Sequence, residues 1–152
     1  MSLTYRVNAG IASDIESHLL ACDDQYVPPL SMRLSIPDYS AKLFACADRF
    51  EAWSDSELVG LVAGYMNAAN RQTSHISNVS VVADWQGKGL AATLIKLFNE
   101  QAQDRGFSLV KLEVNANNQQ AIRLYERLGF RSDSMQGPVR EMILCLRSKN
   151  EK

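Results

Sequence analysis

Three groups of residues in this chain could do chemistry. The first is a loop with two glycines: "QGKGLA", Gln86 to Ala91, stands between a run of branched residues ending at Val82 and a strongly patterned helix. Free backbone N–H groups at a helix N-terminus, where the macrodipole is equivalent to roughly half a positive charge, attract phosphate. Gly87 and Gly89 let the backbone approach a ligand with no Cβ in the way, and Lys88 adds a cation. The same residues also fit an ordinary strand-to-helix turn that uses glycine for its dihedral angles. Two nucleotide patterns fail here. GxxxxGK[ST] is absent, and G-x-G-x-x-G breaks because Gly87-Lys88-Gly89-Leu90-Ala91-Ala92 ends in alanine and no early βαβ unit contains it.

The second group is titratable. Glu113 lies on the polar side of an alternating segment, where a solvated strand glutamate would also sit. Tyr125 has helical spacing, which a core aromatic on an amphipathic helix shares. His18 and His75 are the only histidines; His75, at a strand start, could relay protons, though a lone surface or half-buried histidine fits better. The third group is nucleophilic. Ser77 and Ser80 share a strand with no His/Asp partner in sequence context, so a serine nucleophile is not expected. Cys22, Cys46 and Cys145 are too few, too dispersed and odd in number for a disulfide framework. No CxxC or Cys/His pairing suggests a metal site, and an acyl-cysteine route is a minor hypothesis.

The elements that must position these groups follow from composition and periodicity. A chain of 152 residues, 46% hydrophobic and 22% charged, has the size and make-up of one globular domain, residues 1–152, with one core. Sixteen Lys+Arg against seventeen Asp+Glu give a net charge of −1, so no basic field draws it to nucleic acid. No apolar run approaches the ~20 residues that span a bilayer, which argues against a membrane. Met1 to Asn8 lack the basic start and apolar core of a secretory signal, so a cytoplasmic location is expected.

Thr4 to Asn8 reads as a first strand. Ser13-Asp14-Ile15-Glu16 has the capping-box spacing that starts a helix near Asp14, running to about Cys22. The Pro28-Pro29 pair makes Asp23 to Leu30 a loop, and a second helix begins at Ser35 with Pro37 in its first turn, reaching about Asp48. Arg49 to Trp53 and Glu57 to Met66 form a hairpin about Ser54 to Ser56. The polar stretch Asn67 to Thr73 leads to a strand at His75 to Val82. Leu90, Leu94, Leu97, Phe98, Gln101 and Ala102 mark a helix that Gly106 stops. Ser108 to Val114 alternates, with Val110, Leu112 and Val114 on one face and Leu109, Lys111 and Glu113 on the other. Asn118 to Leu128 is a helix capped by Gly129, and Arg140 to Arg147 a last strand, with a possible short strand at Phe130-Arg131. The order β-α-α-β-β-β-α-β-α-β predicts an α/β, or α+β layered, sheet.

Two motifs then carry a resemblance. QGKGLA matches the Q/R-x-x-G-x-G/A signature of the GNAT superfamily of N-acetyltransferases, and "NNQQAIRLYERLGF", Asn117 to Phe130, resembles its second motif, N-x-x-A-x-x-L-Y-x-x-x-G-F. The resemblance is close over Ile76 to Phe130 and loose elsewhere, with Gln at 86 for the commoner Arg and Ala at 91 for Gly. It implies the acyl-coenzyme A acyltransferase fold, a central mixed, mostly antiparallel sheet flanked by helices, and acetyl-coenzyme A as co-substrate. The backbone of Val79, Ser80 and Val81 would pair with the pantetheine arm. The amides of Gln86, Gly87, Lys88, Gly89, Leu90 and Ala91 would hold the pyrophosphate, and Asn118 would help position the donor.

Acetyl transfer to an amine needs a neutral nucleophile, a donor for the developing oxyanion and a proton for the leaving thiolate. Val81 N–H is the candidate oxyanion donor. By the resemblance, Tyr125 matches the tyrosine that serves as general acid toward sulfur. "LEV…N…A…LY" resembles the branch that acetylates protein N-termini, ribosomal-protein N-terminal alanine included, which makes Glu113 the candidate base. The acceptor would be a small amine, an amino sugar or a peptide N-terminus, read mainly by Cys22 to Tyr39 and Ser132 to Arg140. Asp23 and Asp24 could attract a cation there or be plain solvated surface. A catalytically silent coenzyme A-binding module, transfer to a hydroxyl, and longer acyl groups stay open, as does a homodimer through a C-terminal strand edge.

Overall fold

The computed structural model describes residues 2–26, 28–66 and 72–146. Seven strands, β1 (Leu3–Val7), β2 (Asp48–Ser54), β3 (Glu57–Tyr65), β4 (Thr73–Val81), β5 (Leu109–Asn115), β6 (Arg131–Gln136) and β7 (Val139–Cys145), form one sheet in the order β1-β2-β3-β4-β5-β7-β6. All neighbours are antiparallel except β4 and β5. Among the described residues four α-helices accompany it: α1 (Ala12–Cys22), α2 (Ile36–Cys46), α3 (Leu90–Asp104) and α4 (Gln119–Arg127). This is the mixed, mostly antiparallel sheet flanked by helices that the sequence implies.

Two apolar clusters hold the layers. Ile15 and Leu19 of α1 and Leu43 of α2 pack with Leu58, Leu61 and Ala63 of β3. Leu94, Ile95 and Phe98 of α3 pack with Phe50, Val62 and Ile76, the Phe50 and Phe98 rings meeting edge to face at 5.7 Å. Gly64 is required by this contact: a Cβ there would collide with His75 O and come within 2.6 Å of Phe98 Cε2. A buried carboxylate fixes the entry to α1. Glu51 accepts from the N–H groups of Ala9 and Gly10, from Trp53 Nε1 at 3.0 Å and from Arg49 Nε at 3.3 Å. Arg49 in turn donates to the carbonyls of Gly10, Leu43 and Phe44, so neither buried charge is left without partners.

Three expectations change. α1 begins at Ala12, before the expected capping box, and Ser13 lies inside it. Asp14 instead accepts from Ile11 N–H at 2.9 Å, so the reciprocal half of a cap is made two residues early, at a residue whose side chain has no acceptor to offer. The short strand at Phe130-Arg131 is the six-residue β6, exposed at every position and held by β7 alone. α2 ends at Cys46, and Asp48 already belongs to β2. Of the predicted polar stretch after β3, residues 67–71 lie outside the described residues, as does Arg147 at the end of the last predicted strand.

Candidate active site

The sheet comes apart at its middle. β4 and β5 pair only through Thr73–His75 and Leu109–Lys111. Just beyond, the register of β3 on β4 passes from Gly64↔Ile76 to Ala63↔Asn78, leaving Ser77 as a bulge residue. A bulge bends its strand and strengthens the local twist, which turns the rest of β4 away from β5. Val82 N–H donates to Val59 O on β3 at 2.9 Å. Strand residues alternate, so Val79 and Val81 turn their N–H groups the other way, into the gap.

The glycine loop closes the end of that gap. After a 3-10 turn at Ala83–Trp85, Gly87 and Gly89 adopt φ of +76° and +82°, and Gly89 is the N-cap of α3. An added Cβ at either glycine would meet nothing within 4 Å. These glycines are therefore needed for their left-handed dihedrals, and the space above them stays open. The amides of Gly87, Lys88, Gly89, Leu90 and Ala91 have no backbone partner among the described residues. No acidic residue stands in the first turn of α3 to compete for them. Gln86 differs: its N–H donates to Ala83 O at 3.2 Å, so it adds no free amide to the set. Its side chain donates to Val81 O at 3.2 Å and to Gln25 Oε1 at 2.9 Å, tying the loop to the strand it follows and to the segment after α1. Lys88 is exposed.

Across the gap, Val110, Leu112 and Val114 of β5 are buried and Glu113 is exposed on the opposite face, as the alternation requires. Glu113 stands directly opposite Glu141 of β7, whose carboxylate lies 3.7 Å from Lys111 Nζ. Asn118 is the N-cap of α4 and accepts from Ala121 N–H at 3.2 Å, a structural duty the motif did not reveal. Tyr125 is 7% exposed and shares a cluster with Val81, Leu112 and Val114, its ring edge-on to Phe130. Burial pushes its pKa up to about 12, and its hydroxyl has no hydrogen-bond partner among the described residues.

Sequence reasoning missed the far side of β4. Ser80 does have a histidine partner: His18 of α1, 62 positions away, has Nε2 2.8 Å from Ser80 Oγ and Nδ1 2.8 Å from Leu58 O. Ser80 also meets the Asn78 amide, which meets the Tyr26 hydroxyl, and Tyr39 reaches the Ser77 hydroxyl. Ser80 therefore keeps its side chain in this row and its backbone against Leu61 of β3, so of the three strand residues expected to hold the arm only Val79 and Val81 face the gap. The pattern that could have revealed this is the polar alternation Ser74, Asn78, Ser80 on a strand expected to be buried, where each polar group needs a partner. His75, the other histidine, is exposed. Asp23 is engaged locally, accepting from Ser31 N–H at 2.7 Å and Ser31 Oγ at 2.6 Å, bonds that lower its pKa. Among the described residues no three His, Cys, Asp or Glu side chains gather as a metal site, and no helix is long and apolar enough to cross a membrane.

Comparison with known proteins converges on one family. The model described as "Acetyltransferase (GNAT) family" matches residues 13–130. The [ribosomal protein bS18]-alanine N-acetyltransferase of Escherichia coli (strain K12) is 42% identical over 53 residues, 35% of this chain and 36% of that protein. An uncharacterised N-acetyltransferase of Methanocaldococcus jannaschii is 38% identical over 64 residues, 42% of this chain and 28% of that protein. The chain thus spans little more than a third of the first relative and less than a third of the second. Among solved structures, the PaiA N-acetyltransferase from Thermoplasma acidophilum in complex with coenzyme A aligns with a TM-score of 0.73 at 15% identity, covering 95% of this chain and 99% of that one.

Proposed function

The chain belongs to the GNAT acetyltransferase family, and from that premise we propose that it is an acetyl-coenzyme A-dependent N-acetyltransferase, residues 1–152 acting as one domain. The observation that carries this reading is the gap itself. A strand edge with outward N–H groups at Val79 and Val81 leads, past the turn at Ala83–Trp85, to a row of amides at Gly87 to Ala91 that have no backbone partner among the described residues. An extended amide-bearing arm that ends in a pyrophosphate is the ligand shape such donors fit. The solved relative captured with coenzyme A supports the same donor.

In this reading Val79 and Val81 hold the arm as an added strand would, and the amides of Gly87 to Ala91 take the pyrophosphate, with Lys88 beside it. Gln86 shapes the loop, and Asn118 steadies the start of α4 near the donor. Val81 N–H faces the carbonyl oxygen that gains charge as the amine attacks. Glu113, on the face away from the buried side of β5, takes the proton the amine must lose, directly or through water. Tyr125, kept protonated by burial, donates to sulfur as the carbon–sulfur bond breaks. The new bond is an amide and the released group a thiol, formed by direct attack with both substrates bound. The acceptor is a primary amine. The named relative that acetylates a ribosomal protein's N-terminal alanine supports a peptide N-terminus within that class.

Isothermal titration with acetyl-coenzyme A, with free coenzyme A and NAD as comparisons, tests the reading. Micromolar binding of the two coenzyme A ligands alone is expected. Absence of binding to either one overturns the proposal, because the loop would then be a turn and nothing more.

A further inference from the structure

Behind β4, four side chains from three segments form a single row. Leu58 O, His18, Ser80, Asn78 and Tyr26 are linked by successive contacts of 2.8 Å. His18 is 3% exposed, and no carboxylate or cation stands in the row. Each short contact needs one proton between its two heavy atoms, so counting protons fixes which way the row points.

The count starts at Leu58 O, which can only accept. His18 Nδ1 therefore carries a hydrogen. A neutral imidazole then has only a lone pair at Nε2, so Ser80 must donate its single hydroxyl proton there. The thiol of Cys22 also reaches this nitrogen, at 3.8 Å, but the 2.8 Å contact between Nε2 and Ser80 Oγ still needs a proton of its own. Ser80 Oγ has no second proton to give, so the Asn78 atom facing it must be the amide nitrogen. The amide oxygen then faces Tyr26, and the Tyr26 hydroxyl donates to it. In the structure the amide stands the other way, with Oδ1 toward Ser80 and Nδ2 toward Tyr26. That orientation satisfies every contact only if His18 is an imidazolium. Burial opposes that state and holds the His18 pKa near 4. An amide's oxygen and nitrogen are told apart by their hydrogen bonds, so the proton count turns the Asn78 amide over.

The direction matters at the Tyr26 end. Tyr26 is half-buried in the segment between α1 and α2, and its hydroxyl stands at Asn78, the first residue past the bulge where β4 leaves β5. We propose that His18 is a positioning residue which, through Ser80 and Asn78, turns the Tyr26 proton inward and presents the hydroxyl lone pairs to the N–H of an incoming amine. This rests on the acetyltransferase reading and deepens it. A substrate with N–H donors suits that oxygen, and one offering only an acceptor atom at that point meets a lone pair.

The test separates the two ideas. Acetyl-coenzyme A titration reports the donor reading alone. Transfer to a hexapeptide with a free N-terminal alanine and to spermidine then reports the inference. Tyr26→Phe is expected to raise the acceptor KM about tenfold with donor affinity intact and kcat changed less than KM. Ser80→Ala should move KM the same way, and Ser80→Thr, which restores a hydroxyl, should return it. Ring 15N shifts of His18 in the full chain should show a neutral Nδ1–H tautomer at pH 7. A doubly protonated or Nε2–H ring overturns the inference, as does an unchanged acceptor KM in Tyr26→Phe or in Ser80→Ala alongside normal donor binding. Loss of donor binding in the unmutated chain overturns the acetyltransferase reading and this inference with it.

Discussion

At the scale of residues, Tyr125 shows how far a motif can be read and where physical chemistry must take over. Its place in "LYERLGF" suggested an acid, and its spacing suggested a core aromatic; it is both buried and without a partner for its hydroxyl among the described residues. With its pKa pushed to about 12, it stays protonated throughout any ordinary assay. The kcat profile should therefore show no alkaline limb from this group up to pH 10. Tyr125→Phe should lower kcat about a hundredfold or more while leaving acetyl-coenzyme A affinity within twofold, a pairing that steady-state kinetics and titration together measure. A kcat equal to that of the parent would remove Tyr125 from the chemistry. The Asn118 side chain makes the complementary point: the motif asparagine is first a helix cap, so its substitution would disturb α4 whatever else it touches.

At the scale of elements, the legible parts were those with a period or a punctuation mark. α3 announced itself by its apolar spacing and by Gly89 and Gly106 at its ends, β5 by strict alternation, and the β2–β3 hairpin by its polar turn. What escaped lacked such a signal. β6, "RSDSMQ", has no apolar face because none of its residues is buried, and only pairing with β7 makes it a strand. The bulge at Ser77 depends on a register between strands that no local pattern encodes, and the His18–Ser80 pair joins positions 62 apart. Gly64 belongs to this scale, since its missing side chain leaves room for the His75 carbonyl of β4 and for Phe98 of α3 against β3. Gly64→Ala should destabilise the fold by about 1–3 kcal/mol, the usual range for overpacking, read as a lower denaturant midpoint with unchanged slope. No shift of midpoint would mean that both the His75 carbonyl and the Phe98 ring give way freely.

At the scale of the whole molecule, the buried row behind β4 enters the global balance between folded and unfolded chains. His18 has an ordinary pKa of 6.5 and is held near 4 in the fold by burial. Between those values the unfolded chain binds a proton that the folded chain refuses, so stability is full above about pH 6.5 and is lost as pH falls toward 4. The loss amounts to about 3 kcal/mol at the lower end. Denaturant titrations at a series of pH values, on the parent and on His18→Gln, isolate this contribution: the parent should lose more stability across that window than the variant. Equal losses would show that His18 is not the group refusing the proton.

Gln86 joins what lies on either side of the cleft, one amide nitrogen reaching Val81 O and Gln25 Oε1 together. The tie to Gln25 is exposed, and a bond of that kind is worth only about 1 kcal/mol, enough to synchronise two parts and too little to lock them. The glycine loop and the stretch after α1 are thereby clasped, so slackening one slackens the other.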